Sequence, residues 1–130
     1  MRNFEDLRVW QAAHQLTLDV YRIVKLFPAD ERFELRSQVV RAAVSIEANI
    51  AEGCGRRTDA ELHRFLQISM GSLSELKCEL RIAKDLGYIQ AAQFETVAKA
   101  CADVGRMLNG LSSKLVAPGK QRAVATSAAT

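Results

Sequence analysis

Residues 38–53, Gln-Val-Val-Arg-Ala-Ala-Val-Ser-Ile-Glu-Ala-Asn-Ile-Ala-Glu-Gly, constrain the fold more than any other stretch. Wound as a helix at roughly 100° per residue, Gln38, Arg41, Ser45, Asn49 and Glu52 fall in a polar stripe about 80° wide. Leu35, Val39, Ala43, Ile46 and Ile50 form an apolar face on one side of it, and Val40, Val44, Ala48 and Ala51 form a second one beyond. A helix that is apolar on two faces needs two sets of neighbours, so it must sit centrally in a bundle, line a subunit interface, or both. An Arg, an Asn and a Glu on one helical line could bind a ligand, but polar residues held between apolar faces more often satisfy one another in a buried network. The stripe therefore reads as a device that fixes helix register, and Val40, Val44, Ala48 and Ala51 are candidates for the contact between subunits.

The remaining chain supplies the neighbours. Leu7, Trp10, Ala13, Leu16, Val20, Ile23 and Val24 have the three-and-four spacing of an amphipathic helix over Asp6–Leu26, which Phe27-Pro28-Ala29-Asp30 ends. Pro28 pushes Phe27 out of helical geometry, and Asp30 is placed to cap a second helix from about Glu31 to Glu52. Gly53-Cys54-Gly55-Arg56-Arg57 should break the chain. Thr58-Asp59-Ala60-Glu61 is a capping box, opening a third helix that runs to about Leu86, with Leu62, Leu66, Ser69, Leu73, Leu76, Leu80 and Ala83 facing inward. Gly71 costs this helix about 1 kcal/mol relative to Ala, so a close approach by a neighbour is expected there. Phe94, Val97, Ala98, Cys101, Val104, Leu108, Leu111 and Leu115 mark a fourth helix from about Ala91 to Leu115. Helices joined this closely favour an antiparallel up-down-up-down bundle over residues 1–116, followed by a flexible tail over 117–130 that carries no apolar stripe.

Composition narrows the functional classes. The formal charge is +3, but Lys120 and Arg122 lie in the tail, which leaves 16 basic against 15 acidic groups in residues 1–116. A nucleic-acid role must then rest on how charge is distributed, not on its sum. Cys54, Cys78 and Cys101 match neither a zinc spacing nor a short redox motif and read as free thiols of a reducing cytoplasm. No stretch approaches the roughly 18 uninterrupted apolar residues of a membrane span, and the N-terminal residues lack the apolar core of a signal peptide. Neither His14 nor His63 follows a Glu by three residues, so the pattern of a di-metal bundle is missing, and no metal or cofactor is expected.

Phe4 to Ala12, Phe27-Pro28, Gln38 to Gly53, Gly55-Arg56, and Phe65 to Leu80 with its Gly71-Ser72 and Glu75-Leu76 together resemble the 23S rRNA intervening-sequence family of bacterial four-helix-bundle proteins. The likeness extends over roughly residues 4–115 and is most specific from Arg41 to Gly53. It implies an up-and-down helical subunit assembled as a ring-like homopentamer. The family name records a genomic association with inserted segments of 23S ribosomal RNA genes rather than an activity. A similar bundle is the accessory variability protein of diversity-generating retroelements, a pentameric barrel that binds nucleic acid and a reverse transcriptase and is more basic than this chain. The resemblance thus implies partners among further copies of the chain, RNA or DNA, and a reverse transcriptase or other protein. Where the family often has Ser after Gly-Tyr-Ile, this chain has Gln90, a change that removes a helix cap.

Two features could hold phosphate. Lys77, Arg81 and Lys84 line up on one side of the third helix, away from Glu61, Glu75 and Glu79; such a strip repeated around a ring would multiply backbone contacts, and its plainer reading is solvated surface. The loop Gly53–Arg57 offers Arg56 and Arg57 beside the free N–H groups of the next helix. Its plainer reading is a turn in which glycines supply positive φ and an Arg pairs with Glu52 or Glu61. Cys54 is the one thiol whose surroundings suggest a lowered pKa, and Glu61 and His63 point to different sides of their helix, so no catalytic group assembles locally. The expected function is a non-enzymatic, homo-oligomeric accessory protein associated with nucleic acid, RNA before DNA. The alternative is a scaffold that binds a protein partner and no nucleic acid.

Overall fold

Thr58 starts the longest helix by accepting the N–H of Glu61 on its hydroxyl at 3.1 Å, and the Glu61 carboxylate in turn accepts the N–H of Arg57. The computed structural model describes residues 2–31 and 34–116. Their helices are α1 (Arg8–Val24), α2 (Leu35–Cys54), α3 (Asp59–Asp85) and α4 (Ala91–Lys114), with single 3₁₀ turns at Phe4–Asp6 and Ala29–Glu31. No strand occurs among the described residues. The flexible tail expected over 117–130 lies outside them.

α2 packs against α1 and α3, and α4 packs against the same two helices, so the four enclose one core as a four-helix bundle. Leu35, Val39, Ala43, Ile46 and Ile50 of α2 are all buried in it, as are the seven residues of α3 expected to face inward. Each fully buried Leu or Ile stabilises the fold by about 1.5–3 kcal/mol relative to exposure. Buried hydroxyls tie neighbouring helices through backbone carbonyls. Thr17 donates to Ala13 and, at 3.2 Å, to Ala43, while Ser69 donates to Ile46 at 2.8 Å. Among the described residues no helix is long and apolar enough to cross a membrane.

Several local expectations are corrected. Asp6 belongs to a 3₁₀ turn stabilised by Asn3, which accepts the N–H of Glu5, and α1 begins only at Arg8. Asp30 lies in the second 3₁₀ turn; Glu31 satisfies the start of α2 instead, its carboxylate accepting the N–H of Leu35 at 2.7 Å. The break does not come at Gly53, because α2 continues through Cys54 and both residues are buried. Gly55 has φ −80°, so the glycines of this turn supply no positive φ; among the described residues Gly87, at φ +80°, is the glycine that does. Close approach occurs at Gly53, where an added Cβ would lie 2.8 Å from Leu62 Cδ1 and 2.9 Å from Phe65 Cβ. Gly71, where it was expected, has nothing within 4 Å of such an atom. Gln90 does not leave the start of α4 bare, since its N–H donates to Gln93 Oε1 at 2.7 Å.

Candidate nucleic-acid interface

Helical spacing places Lys77, Arg81 and Lys84 on the side of α3 that meets α4. Lys77 and Arg81 are exposed, whereas Lys84 is half-buried with its ammonium 4.9 Å from the centre of the Phe94 ring. Arg81 pairs with Asp85 at 3.2 Å, one turn along the same helix. Lys77 has no ion pair among the described residues, and it lowers the Cys101 thiol too weakly to offset burial, which pushes that group up to about 11. The strip is therefore continuous but partly neutralised by its own chain.

The α2–α3 turn builds a second basic cluster. Arg56 pairs with Glu52 at 2.7 Å and places its guanidinium 4.9 Å from the centre of the Phe65 ring. Arg64, one turn into α3, lies over the same ring at 5.3 Å. These residues, with Ala60 and Glu61, line a cleft of about 330 Å³. Arg57 is exposed, its N–H held by Glu61, and Arg2 pairs with Asp59 nearby at 3.0 Å. The sequence reading missed Arg64 and Phe65. A Phe with an Arg immediately before it is a visible signal, but only the turn folding back brings Arg56 over the same ring.

The polar stripe of α2 divides. Ser45 lies 2.8 Å from Ser72 Oγ, and Asn49 Nδ2 donates to both the carbonyl and the hydroxyl of Ser45, a half-buried network between α2 and α3. Gln38, Arg41 and Glu52 instead reach the exposed surface, so the expected network does not extend along the whole stripe. Gln38 and Arg41 join Ala42, Ser45, Ser72, Glu75 and Glu79 around a polar cleft of about 400 Å³. Of the second apolar face, Val40 and Ala51 are half-buried, Ala48 is exposed, and Val44 keeps 39% of its surface. Ile68 and Ile82 of α3 are likewise 42% and 43% exposed.

The groups with chemical potential are structurally engaged. His14 stands 3.0 Å from the Glu47 carboxylate and stacks on Trp10. Ser112 Oγ lies 2.8 Å from His63 Nδ1 and accepts from Gln67, a Ser–His contact that sequence spacing could not reveal. Ser112 is only 5% exposed. Burial raises the Cys54 thiol despite the charge of Arg2, which overturns the expectation of a lowered pKa. Among the described residues no three His, Cys, Asp or Glu side chains gather as a metal site would need.

A solved crystal structure of a protein of unknown function from the S23 ribosomal protein family of Bacteroides thetaiotaomicron is similar in fold, with a TM-score of 0.75. The two sequences are 20% identical, and the match covers 80% of this chain and 97% of that one. No curated protein matches the chain. Residues 5–110, which hold all of α1, α2 and α3 and most of α4, match the model of the 23S rRNA-intervening sequence protein family, and the chain belongs to that family.

Proposed function

We infer that this protein is a non-enzymatic, self-assembling accessory protein of the cytoplasm whose basic surfaces contact the phosphate backbone of RNA. The observation that carries this reading is the strip of Lys77, Arg81 and Lys84 along one side of α3, with Lys77 free of an ion pair among the described residues. At the α2–α3 turn Arg56 and Arg64 over Phe65, with Arg57 exposed beside them, add a basic cluster of the kind that accepts phosphate. In this reading both groups contact phosphates without reading sequence. An antiparallel up-down-up-down arrangement is supported by the pairings of His14 with Glu47 and Thr17 with Ala43, where position falls along α1 as it rises along α2. A ring of five such subunits would repeat each basic surface five times.

The test is fluorescence anisotropy of a labelled structured RNA with nuclease-treated protein, titrated from low to physiological salt. Affinity should fall log-linearly with salt, with a slope reporting several phosphate contacts. Replacing Lys77, Arg81 and Lys84 together by Glu should abolish binding while helicity and assembled mass persist. Unchanged affinity in that variant removes the strip from the interface.

The near balance of 16 basic against 15 acidic groups in residues 1–116 supports the second reading, a scaffold for a protein partner. Absence of RNA binding even at low salt would favour it.

A further inference from the structure

The polar cleft between α2 and α3 is incomplete within one chain. Oε1 of Glu79 is buried and has no hydrogen-bond partner among the described residues, although Gln38 and Arg41 line the same space. Glu75 lines it too, so two carboxylates face one guanidinium. Burial and the neighbouring Glu75 both push the Glu79 carboxyl above the usual carboxylate range. A buried acceptor without a donor is costly, and the missing donor for a carboxylate in such company is a cation. Val44, Ala48, Ile68 and Ile82 leave apolar surface exposed on the same two helices. Gly71, one turn before Glu75, weakens α3 relative to Ala with nothing in its own chain requiring it.

We propose that this cleft receives the ammonium group of Lys99 from a second copy of the chain. The proposal rests on the self-assembly reading above. Each of α2 and α4 packs between α1 and α3, so α4 stands diagonal to α2 and its outward side is a different surface from the α2–α3 face. Lys99 is exposed on α4 and has no ion pair among the described residues. It also lies at the right level. Glu79 is six residues from the end of α3 and Lys99 eight residues from the start of α4, about 9 and 12 Å from the end where those helices connect. Rotation about an axis parallel to the bundle brings level groups together, and a contact between two different faces repeated by rotation closes a ring. The exposed apolar residues then exclude water from the charge-assisted bond, and Gly71 lets the neighbouring backbone approach.

Charge exchange tests this directly, with mass read by light scattering and helicity by circular dichroism. Glu79→Lys and Lys99→Glu should each reduce the assembly to single helical subunits, because each sets like charges against each other. The double variant, which restores opposite charges with the sign reversed, should recover the assembled mass. Glu79→Gln, which keeps shape and removes charge, should weaken assembly in a dilution series without unfolding the subunit. Retention of the wild-type mass by Glu79→Lys overturns the proposal and leaves self-assembly standing. Dissociation of both single variants without recovery in the double variant overturns Lys99 as the partner. A wild-type protein that is a single subunit at every concentration overturns self-assembly and this contact together.

Discussion

Gly53 is the position where one added carbon matters most. A helix interior gains about 1 kcal/mol from Gly→Ala, but here the new methyl would meet Leu62, 1% exposed, and Cβ of Phe65, which moves only with its backbone. Overpacking of this kind costs about 1–3 kcal/mol, so Gly53→Ala should lower stability by up to about 2 kcal/mol net. The urea midpoint, read at a concentration where the chain is a single subunit, checks it. Gly71→Ala, made in open space, should raise that same midpoint. Both glycines were visible in the sequence, yet it assigned the close approach to the wrong one. A glycine marks a place where a neighbour can come close, and only packing says whether one does. The pairing of Ser112 with His63 was illegible for a related reason: 49 residues separate them, and neither lies in a local pattern.

Among the elements, α3 was the most legible because its signals are local. Thr58 caps it as expected, and Thr58→Ala should cost about 1 kcal/mol, measured as a lower thermal midpoint together with faster amide exchange in the first turn. Its buried positions follow a 3.6-residue period that needs no tertiary knowledge. The ends of α1 and α2 were less legible. Glu31 reaches Leu35 from the preceding turn, and the Cys54 carbonyl accepts the N–H of Arg2 from the far end of the chain. Such boundaries depend on which distant group satisfies a helix terminus.

For the whole molecule, the charges of the α2–α3 cleft couple fold to pH. Gln38 and Arg41 from α2 and Glu75 from α3 surround Glu79, whose carboxyl is raised above its ordinary value of 4.5. The folded subunit therefore holds this proton more tightly than the unfolded chain. Its contribution to stability is fully present below the unfolded value and is lost as pH rises through the folded one. At a concentration where the chain is a single subunit, the unfolding midpoint should fall as pH rises through that window, and Glu79→Gln should flatten the fall. An identical pH profile in the variant would assign the dependence to other groups.

The sequence by itself determined four helices, their inward faces and the membership of the family, because each rests on periodicity, local capping or a contiguous run of residues. Tertiary structure alone decided the rest. It split the polar stripe into a half-buried Ser45–Asn49–Ser72 network and an open cleft, placed Arg56 and Arg64 over one phenylalanine, and left Val44, Ile68 and Ile82 uncovered. Those outcomes depend on the separation and rotation of helices about their own axes. The packing of side chains distant in sequence sets both, and no local pattern encodes them.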